Sequence, residues 1–187
     1  MRILIADDEA IIRLGLKAML QEMGHEVIVA MNGREAIQMA ARQSPDLAIL
    51  DIKMPYTDGL QAAKTIARDR PLPILILTAF SDSELIDKAT DLPIQGYLIK
   101  PVQPAELSAA ISVATKRFEE GRELTERARK LEEDMKTRKL VERAKGKLML
   151  TGLSEEDAYR ALQIHARKNR LTMRDAAMAI LGDAGAK

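Results

Sequence analysis

The chain has 187 residues, 47% of them apolar and 30% charged, with 29 Lys plus Arg against 28 Asp plus Glu and no cysteine. This composition predicts a soluble globular protein of one or two domains, excludes disulfides, thiolate zinc sites and cysteine nucleophiles, and makes a reducing cytoplasm the expected compartment. Apolar stretches such as Pro71 to Leu77 fall far short of the ~20 residues a membrane helix needs, and Met1 to Ala6 runs straight into Asp7-Asp8-Glu9, so neither a membrane partner nor a secretory signal is expected.

Residues 1–116 alternate short aliphatic runs with helical patterns. Arg2 to Ala6, Glu26 to Ala30, Asp46 to Leu50, Ile74 to Thr78 and Gly96 to Ile99 read as strands. Helical patterns follow each of them: Ala10 to Met23, Gly33 to Arg42, Gly59 to Arg68, Ser83 to Ala89, and a helix opening at Pro104, where proline suits a first turn. Five βα units with short connections predict an α/β fold, a parallel sheet covered by helices on both faces. Leu47-Ala48-Ile49-Leu50 and Ile74-Leu75-Ile76-Leu77 are apolar throughout, as strands buried on both sides should be.

From Pro104 to about Met149 there is no further proline, and the only glycines are Gly121 and Gly146, which leaves one long helix or two consecutive ones. Leu124, Ala128, Leu131 and Met135 fall at spacings of 4, 3 and 4 among charged residues, the rhythm of a short coiled-coil seam. The connector, residues 117–137, is then either a solvated helix or a dimer seam that closes when something else helps. Residues 138–187 read as three helices. Arg138 to Leu150 carries Val141, Ala144 and Leu148 and stops at Thr151-Gly152; Ser154 to Asp157 opens a second with Ala158, Ala161, Leu162 and His165; Thr172 caps a third with Ala176, Ala177 and Ile180.

Charge is spread unevenly. Residues 1–116 hold 12 basic and 15 acidic side chains, residues 117–135 hold 5 and 7, and residues 136–187 hold 12 and 6. The basic tail, with Arg138, Lys139, Arg143, Lys145, Lys147, Arg167, Lys168, Arg170 and Arg174, suits an anionic partner such as a nucleic acid, or is simply a solvated face. It has no zinc spacing or Gly-rich phosphate loop, and Tyr159 is its one aromatic residue.

In the front domain Asp7 and Asp8 follow the first strand, Asp51 ends the third, Thr78 ends the fourth and Lys100 ends the fifth. Open parallel sheets bind ligands at that edge. Three carboxylates gathered there repel one another unless a cation neutralises them, and oxygen ligation without His or Cys suits Mg²⁺. Attack of Asp51 on phosphorus would give an acyl phosphate, with Lys100 and Thr78 offsetting the added charge.

Ile3 to Glu9, Leu50 to Gly59, Thr78-Ala79 and Tyr97 to Pro101 together closely resemble the receiver domain of two-component response regulators. The resemblance implies a flavodoxin-like (βα)5 receiver over residues 1–116, phosphorylated on Asp51 by a cognate sensor histidine kinase. It implies that Asp8, Asp51 and the Lys53 carbonyl bind Mg²⁺ and that Asp7 acts through water. Thr78 and Tyr97 match the switch pair, and a cis Lys100-Pro101 bond is expected. A second segment, Arg143 to Met149, then Gly152 to Tyr159 with Leu162 and Ala166, then Arg174, Ala177 and Ile180, resembles the ANTAR domain, a three-helix RNA-binding module. That likeness implies transcription antitermination through paired hairpins in a leader RNA. Lys145, Arg167, Arg170 and Arg174 are the leading expected contacts, with Arg138, Arg143, Lys147 and Lys168 beside them and Tyr159 and His165 packing bases. Gly146 in mid-helix costs about 1 kcal/mol relative to Ala, which fits close approach by RNA backbone or another helix. Phosphorylation is expected to promote a homodimer that places one site on each hairpin.

Two other readings compete: a helical DNA-binding output, and a phosphorylation-gated protein-interaction switch without nucleic acid. No enzymatic output is expected, the only chemistry being Mg-dependent self-phosphorylation at Asp51.

Overall fold

The computed structural model of the chain describes residues 1–79 and 93–182; the helix expected over Ser83 to Ala89 lies outside them. The apolar runs form five strands, β1 (Arg2–Ala6), β2 (Glu26–Ala30), β3 (Leu47–Asp51), β4 (Ile74–Thr78) and β5 (Gly96–Ile99). They pair in the order β2-β1-β3-β4-β5, every pair parallel. The helices are α1 (Ala10–Glu22), α2 (Gly33–Gln43), α3 (Gly59–Asp69), α4 (Pro104–Met149), α5 (Glu155–Asn169) and α6 (Met173–Leu181). Each residue of β3 and β4 is buried, which is why these strands read as unbroken apolar runs.

Because successive strand residues point to opposite faces, the sheet feeds two cores. Leu4, Leu50 and Ile76 pack with Ala36 and Ala40 of α2 and Ala62, Ala63 and Ile66 of α3. On the other face Ile3, Ile5, Ile49 and Leu75 pack with Leu16 and Leu20 of α1 and with Leu107, Ile111 and Ala114 of α4. Burying each such Leu or Ile contributes about 1.5–3 kcal/mol, so the two faces supply most of the drive to fold. This is the expected flavodoxin-like parallel sheet. Two strand ends move: β3 begins at Leu47 because Asp46 is held back by Arg2, whose backbone N–H donates to the Asp46 carboxylate at 2.7 Å, and β5 ends at Ile99, so Lys100 follows it.

Of the two possibilities left by the sequence, α4 is one continuous helix of 46 residues. The chain divides into two compact units, Met1–Arg122 and Glu123–Lys187. In the second, Val141 and Ala144 of α4 share a core with Leu162 and Ala166 of α5 and Ala176 and Ala177 of α6. Ala161 and His165 are only half-buried, and Ala166 takes the inner place. The expected stop is present: the Thr151 hydroxyl donates to the Leu148 carbonyl at 2.6 Å, and Gly152 takes φ +95, which glycine adopts without steric cost. Ser154 caps α5 by accepting the Asp157 N–H, and Thr172 caps α6 by accepting the Asp175 N–H, both at 3.1 Å. Caps of this kind stabilise a helix by ~1 kcal/mol, which matters for a core built mainly of alanine. Among the described residues no helix is long and apolar enough to cross a membrane.

Candidate functional site

Strand register assembles the acidic edge. Ala6 pairs with Leu50, so the next residues, Asp7 and Asp51, come to the same level. Asp51 pairs with Leu77, one residue before Thr78, and Thr78 pairs with Ile99, one residue before Lys100. Four residue positions far apart in sequence thus reach the carboxyl edge of one sheet. Lys100 Nζ lies 2.6 Å from Asp7 Oδ2, 2.7 Å from Asp51 Oδ1 and 3.8 Å from Glu9 Oε1. Asp7, Asp51 and Thr78 are buried, while Asp8 is exposed at the rim. The Lys100-Pro101 bond is cis, as the resemblance implies.

The loop after β3 closes one wall. Lys53 lies on it, beside Asp8, Met54 and Asp58 in the lining of an open pocket. Asp58 caps α3 by accepting the Gln61 N–H at 2.8 Å. A Cβ on Gly59 would overlap the Asp51 carbonyl oxygen, so glycine lets the first turn of α3 sit directly against the backbone of the central aspartate. The Thr78 hydroxyl donates to the Ala79 carbonyl at 3.0 Å. Tyr97, half-buried, packs against the core face that holds Leu50 and Ile76.

Burial pushes the Asp51 carboxyl above the usual carboxylate range; Lys100 opposes that rise, and Asp7 and Asp8 add to it. Burial alone would lower the Lys100 ammonium, but hydrogen bonds to Asp51 and Asp7 outweigh it and raise the group. Burial also raises the Tyr97 phenol. Ligand oxygens of Asp7, Asp8 and Asp51 all lie within 4.8 Å of one another. Three carboxylates face one ammonium, so negative charge is in excess, and every donor is a hard oxygen. That set fits a small divalent cation. Two participants escaped the sequence reading: Glu9, whose N–H donates to Asp7 Oδ1 at 2.8 Å, and Arg13, whose Nη1 donates to the Asp7 carbonyl at 2.8 Å. Arg13 reaches back only because α1 turns it over the end of β1, a closure that no sequence spacing announces.

The tail residues are not gathered in this way. Arg138, Arg143, Lys147, Arg167, Lys168, Arg170 and Arg174 are exposed, Tyr159 is 41% exposed and His165 half-buried. Lys145, expected as a leading RNA contact, is placed differently: it is 8% exposed, with Nζ 2.7 Å from Glu155 Oε1 and 3.1 Å from Glu142 Oε2. Lys147 donates to the Leu181 carbonyl at 3.2 Å, at the end of α6. On α4 the seam residues Leu124, Leu131 and Met135 are 65%, 65% and 61% exposed, and Ala128 is exposed with them. Around Gly146 nothing in the described structure lies within 4 Å of where a Cβ would stand, so the chain's own packing does not require glycine there.

A five-stranded parallel sheet with clustered aspartates and a lysine at its carboxyl edge, followed by a helical basic unit, defines a response regulator with a receiver and a separate output. The chain belongs to that family: residues 3–112 match the response regulator receiver domain and residues 129–181 match the ANTAR domain. It is 44% identical over 186 residues to the transcriptional regulatory protein PdtaR of Mycobacterium tuberculosis, covering 98% of this chain and 91% of that protein. Among solved structures it resembles the signal receiver domain of a modulated diguanylate cyclase from Desulfovibrio desulfuricans, with TM-score 0.59 and 31% identity over 63% of this chain and 95% of that one. It also resembles a response regulator receiver domain protein from Clostridium thermocellum, with TM-score 0.58 and 33% identity over 62% and 94% of the two chains.

Proposed function

We propose that phosphorylation of Asp51 gates binding of structured leader RNA by the ANTAR region, and that the bound protein prevents formation of a transcription terminator. The observation that carries this reading is the convergence of Asp7, Asp8, Asp51 and Lys100 on one edge, in a chain whose other unit is basic and matches the ANTAR domain. The relative PdtaR is a transcriptional regulatory protein, which supports an output at transcription.

The chain's chemistry is confined to Asp51. A carboxylate oxygen forms a bond to phosphorus while the bond to the donor's leaving group breaks and its electron pair departs with that group, giving an acyl phosphate. A sensor histidine kinase supplies the phosphoryl group in the cytoplasm. Asp8, Asp51 and the Lys53 carbonyl would hold Mg²⁺, with Asp7 acting through water, and the ion would neutralise phosphoryl oxygens. Lys100 then exchanges one carboxylate partner for the phosphoryl group, and the Thr78 hydroxyl turns from the Ala79 carbonyl to the same oxygens. Tyr97 follows toward the space that Thr78 leaves, which biases the surface around β4 and β5. The exposed Leu124, Ala128, Leu131 and Met135 become the seam of a homodimer, so that each copy holds one of two hairpins.

The test is binding of the full chain, with and without Mg²⁺ and a fluoroberyllate phosphoryl mimic, to a tandem-hairpin RNA and to duplex DNA of matching sequence at two salt concentrations. Tight RNA binding that strengthens with the mimic is expected. A preference for the duplex, or for neither, overturns the reading.

A further inference from the structure

Among the described residues, the buried charged groups are Asp7, Asp51 and Lys145. The first two belong to the acidic edge; Lys145 belongs to the tail, where a buried ammonium is of little use as a phosphate contact. Its Nζ is 2.7 Å from Glu155 Oε1 and 3.1 and 3.2 Å from the two Glu142 oxygens. It also stands 6.0 Å from the centroid of the Tyr159 ring, within cation–π range. An ammonium has three N–H donors, and three carboxylate oxygens from Glu142 and Glu155 lie within 3.2 Å of this one. A phosphate could reach it only by displacing an acid.

The geometry of the partners gives these contacts a direction. Glu142 lies three residues before Lys145 on α4, whereas Glu155 opens α5 beyond the turn at Gly152. Glu155 and Tyr159 are four residues apart, on one face of α5. The ammonium of α4 therefore grips the same face of α5 that carries the ring. Ala144, next to Lys145, is fully buried in the small core, so the lysine's backbone is fixed from below. Exposed ion pairs contribute little by themselves, and Glu142 and Glu155 are 57% and 70% exposed, so what sets this ammonium apart is that its own side chain is 10% exposed and meets three groups at once.

We propose that Lys145 is a positioning residue for RNA binding: it fixes the first turn of α5, and with it the half-exposed ring of Tyr159, and does not itself touch the RNA. This rests on the RNA reading above. Tyr159 then offers a held aromatic face on which an unstacked loop base can lie, and the exposed arginines take the phosphates. Hydrogen bonds donated to Glu155 and Glu142 hold the Lys145 ammonium above its ordinary value, and Lys145 holds the Glu155 carboxyl below the usual range, which agrees with the contacts.

The experiment compares full-length variants for binding to a tandem-hairpin RNA over a series of salt concentrations. Lys145→Met, which keeps the apolar stem, should weaken binding about tenfold with no change in the slope of log K against log salt. Loss of a phosphate contact would instead lower that slope by about 0.7–0.9. Glu155→Gln should weaken binding about threefold, and the double variant should bind no worse than Lys145→Met alone. Glu156→Gln removes the same first-turn charge without touching Lys145 and should bind as the wild type does. A reduced slope in Lys145→Met overturns the proposal, as does tighter binding in Glu155→Gln, the result expected if the acid merely competes with phosphate. If the wild type binds no RNA, the functional reading fails, and the placement of Lys145 is decided by NMR titration of the Glu155 carboxyl. That group should titrate below the usual range and return to it in Lys145→Met. A carboxyl depressed by folding contributes stability above its unfolded pKa and loses it as pH falls through the folded value. A wild-type Glu155 that titrates normally overturns the proposal.

Discussion

At the sheet edge, separate strands bring Asp7, Asp51 and Thr78 together as buried residues with the half-buried Lys100 against the two acids, while Arg138, Arg143, Arg167, Lys168, Arg170 and Arg174 stay exposed along α4 to α6. The contrast follows from what each region must recognise. A reacting phosphorus needs oxygens and cations fixed within tenths of an ångström, and strand register supplies that fixity without loop entropy. A polyanion needs charge density first, and long, solvated side chains supply it while their helices need hold only a few groups in place. The receiver should therefore fail sharply at single residues, and the tail should fail by degrees.

The sharpest break is expected at Asp51. Asp51→Ala should reduce labelling by a small phosphodonor to background, since it removes the carboxylate that ends the central strand β3, 2.7 Å from Lys100 and beside Asp7 and Asp8. Undiminished labelling would move the phosphoacceptor elsewhere and end the comparison. Next comes Lys100. Lys100→Met leaves the buried Asp7 and Asp51 facing each other without their ammonium, a loss of about 3–5 kcal/mol for a buried charge deprived of its partner. Mg²⁺ should recover part of it, as a ligand at a hundred times its Kd stabilises by about 2.7 kcal/mol. Denaturant unfolding of the receiver with Mg²⁺ or with a chelator reads both effects, and indifference to the ion in both proteins would remove the cation from the site.

How much of this was legible follows the same division. Strands β3 and β4 could be read because both faces are buried and their composition is unmixed, whereas the edge strands β2 and β5, partly exposed, could be read only as short aliphatic runs between helical patterns. Asp51, Thr78 and Lys100 could be read because each polar residue interrupts or follows such a run at the same end. The switch from strand to helix at Gly59 was visible, though its reason, contact with the Asp51 carbonyl, was not. Neither was the continuity of α4, since glycine at positions 121 and 146 is tolerated inside a helix and the pattern suits one helix or two. Lys145 was grouped with its basic neighbours because composition carries no depth: the acid that claims it, Glu155, is ten residues away across a turn.

Smaller effects sharpen the tail's side of the comparison. Gly146→Ala should stabilise α4 by about 1 kcal/mol, because the new methyl meets no atom of the described chain within 4 Å. If the bare backbone at Gly146 serves RNA or a second helix, the same variant binds RNA more weakly despite being more stable. A gain in stability with unchanged binding would make Gly146 a neutral position.

Arg170 allows the finest discrimination. It ends α5 in the left-handed region at φ 54, with the Leu171 N–H donating to the Ala166 carbonyl at 2.9 Å, a helix end that glycine ordinarily occupies. An arginine there carries backbone strain of about 1 kcal/mol, and its exposed guanidinium makes no ion pair among the described residues that would offset it. Arg170→Gly should therefore raise stability by roughly 0.5–1 kcal/mol, the relief of strain exceeding the added freedom of the unfolded chain. If the guanidinium meets a phosphate, the same change weakens RNA binding and lowers the salt slope by about 0.7–0.9. Opposite signs for folding and binding at one residue would show a strained conformation retained for contact with the partner. Equal signs would make Arg170 an ordinary cap, and contact with the anionic partner would then rest on Arg138, Arg143, Arg167, Lys168 and Arg174.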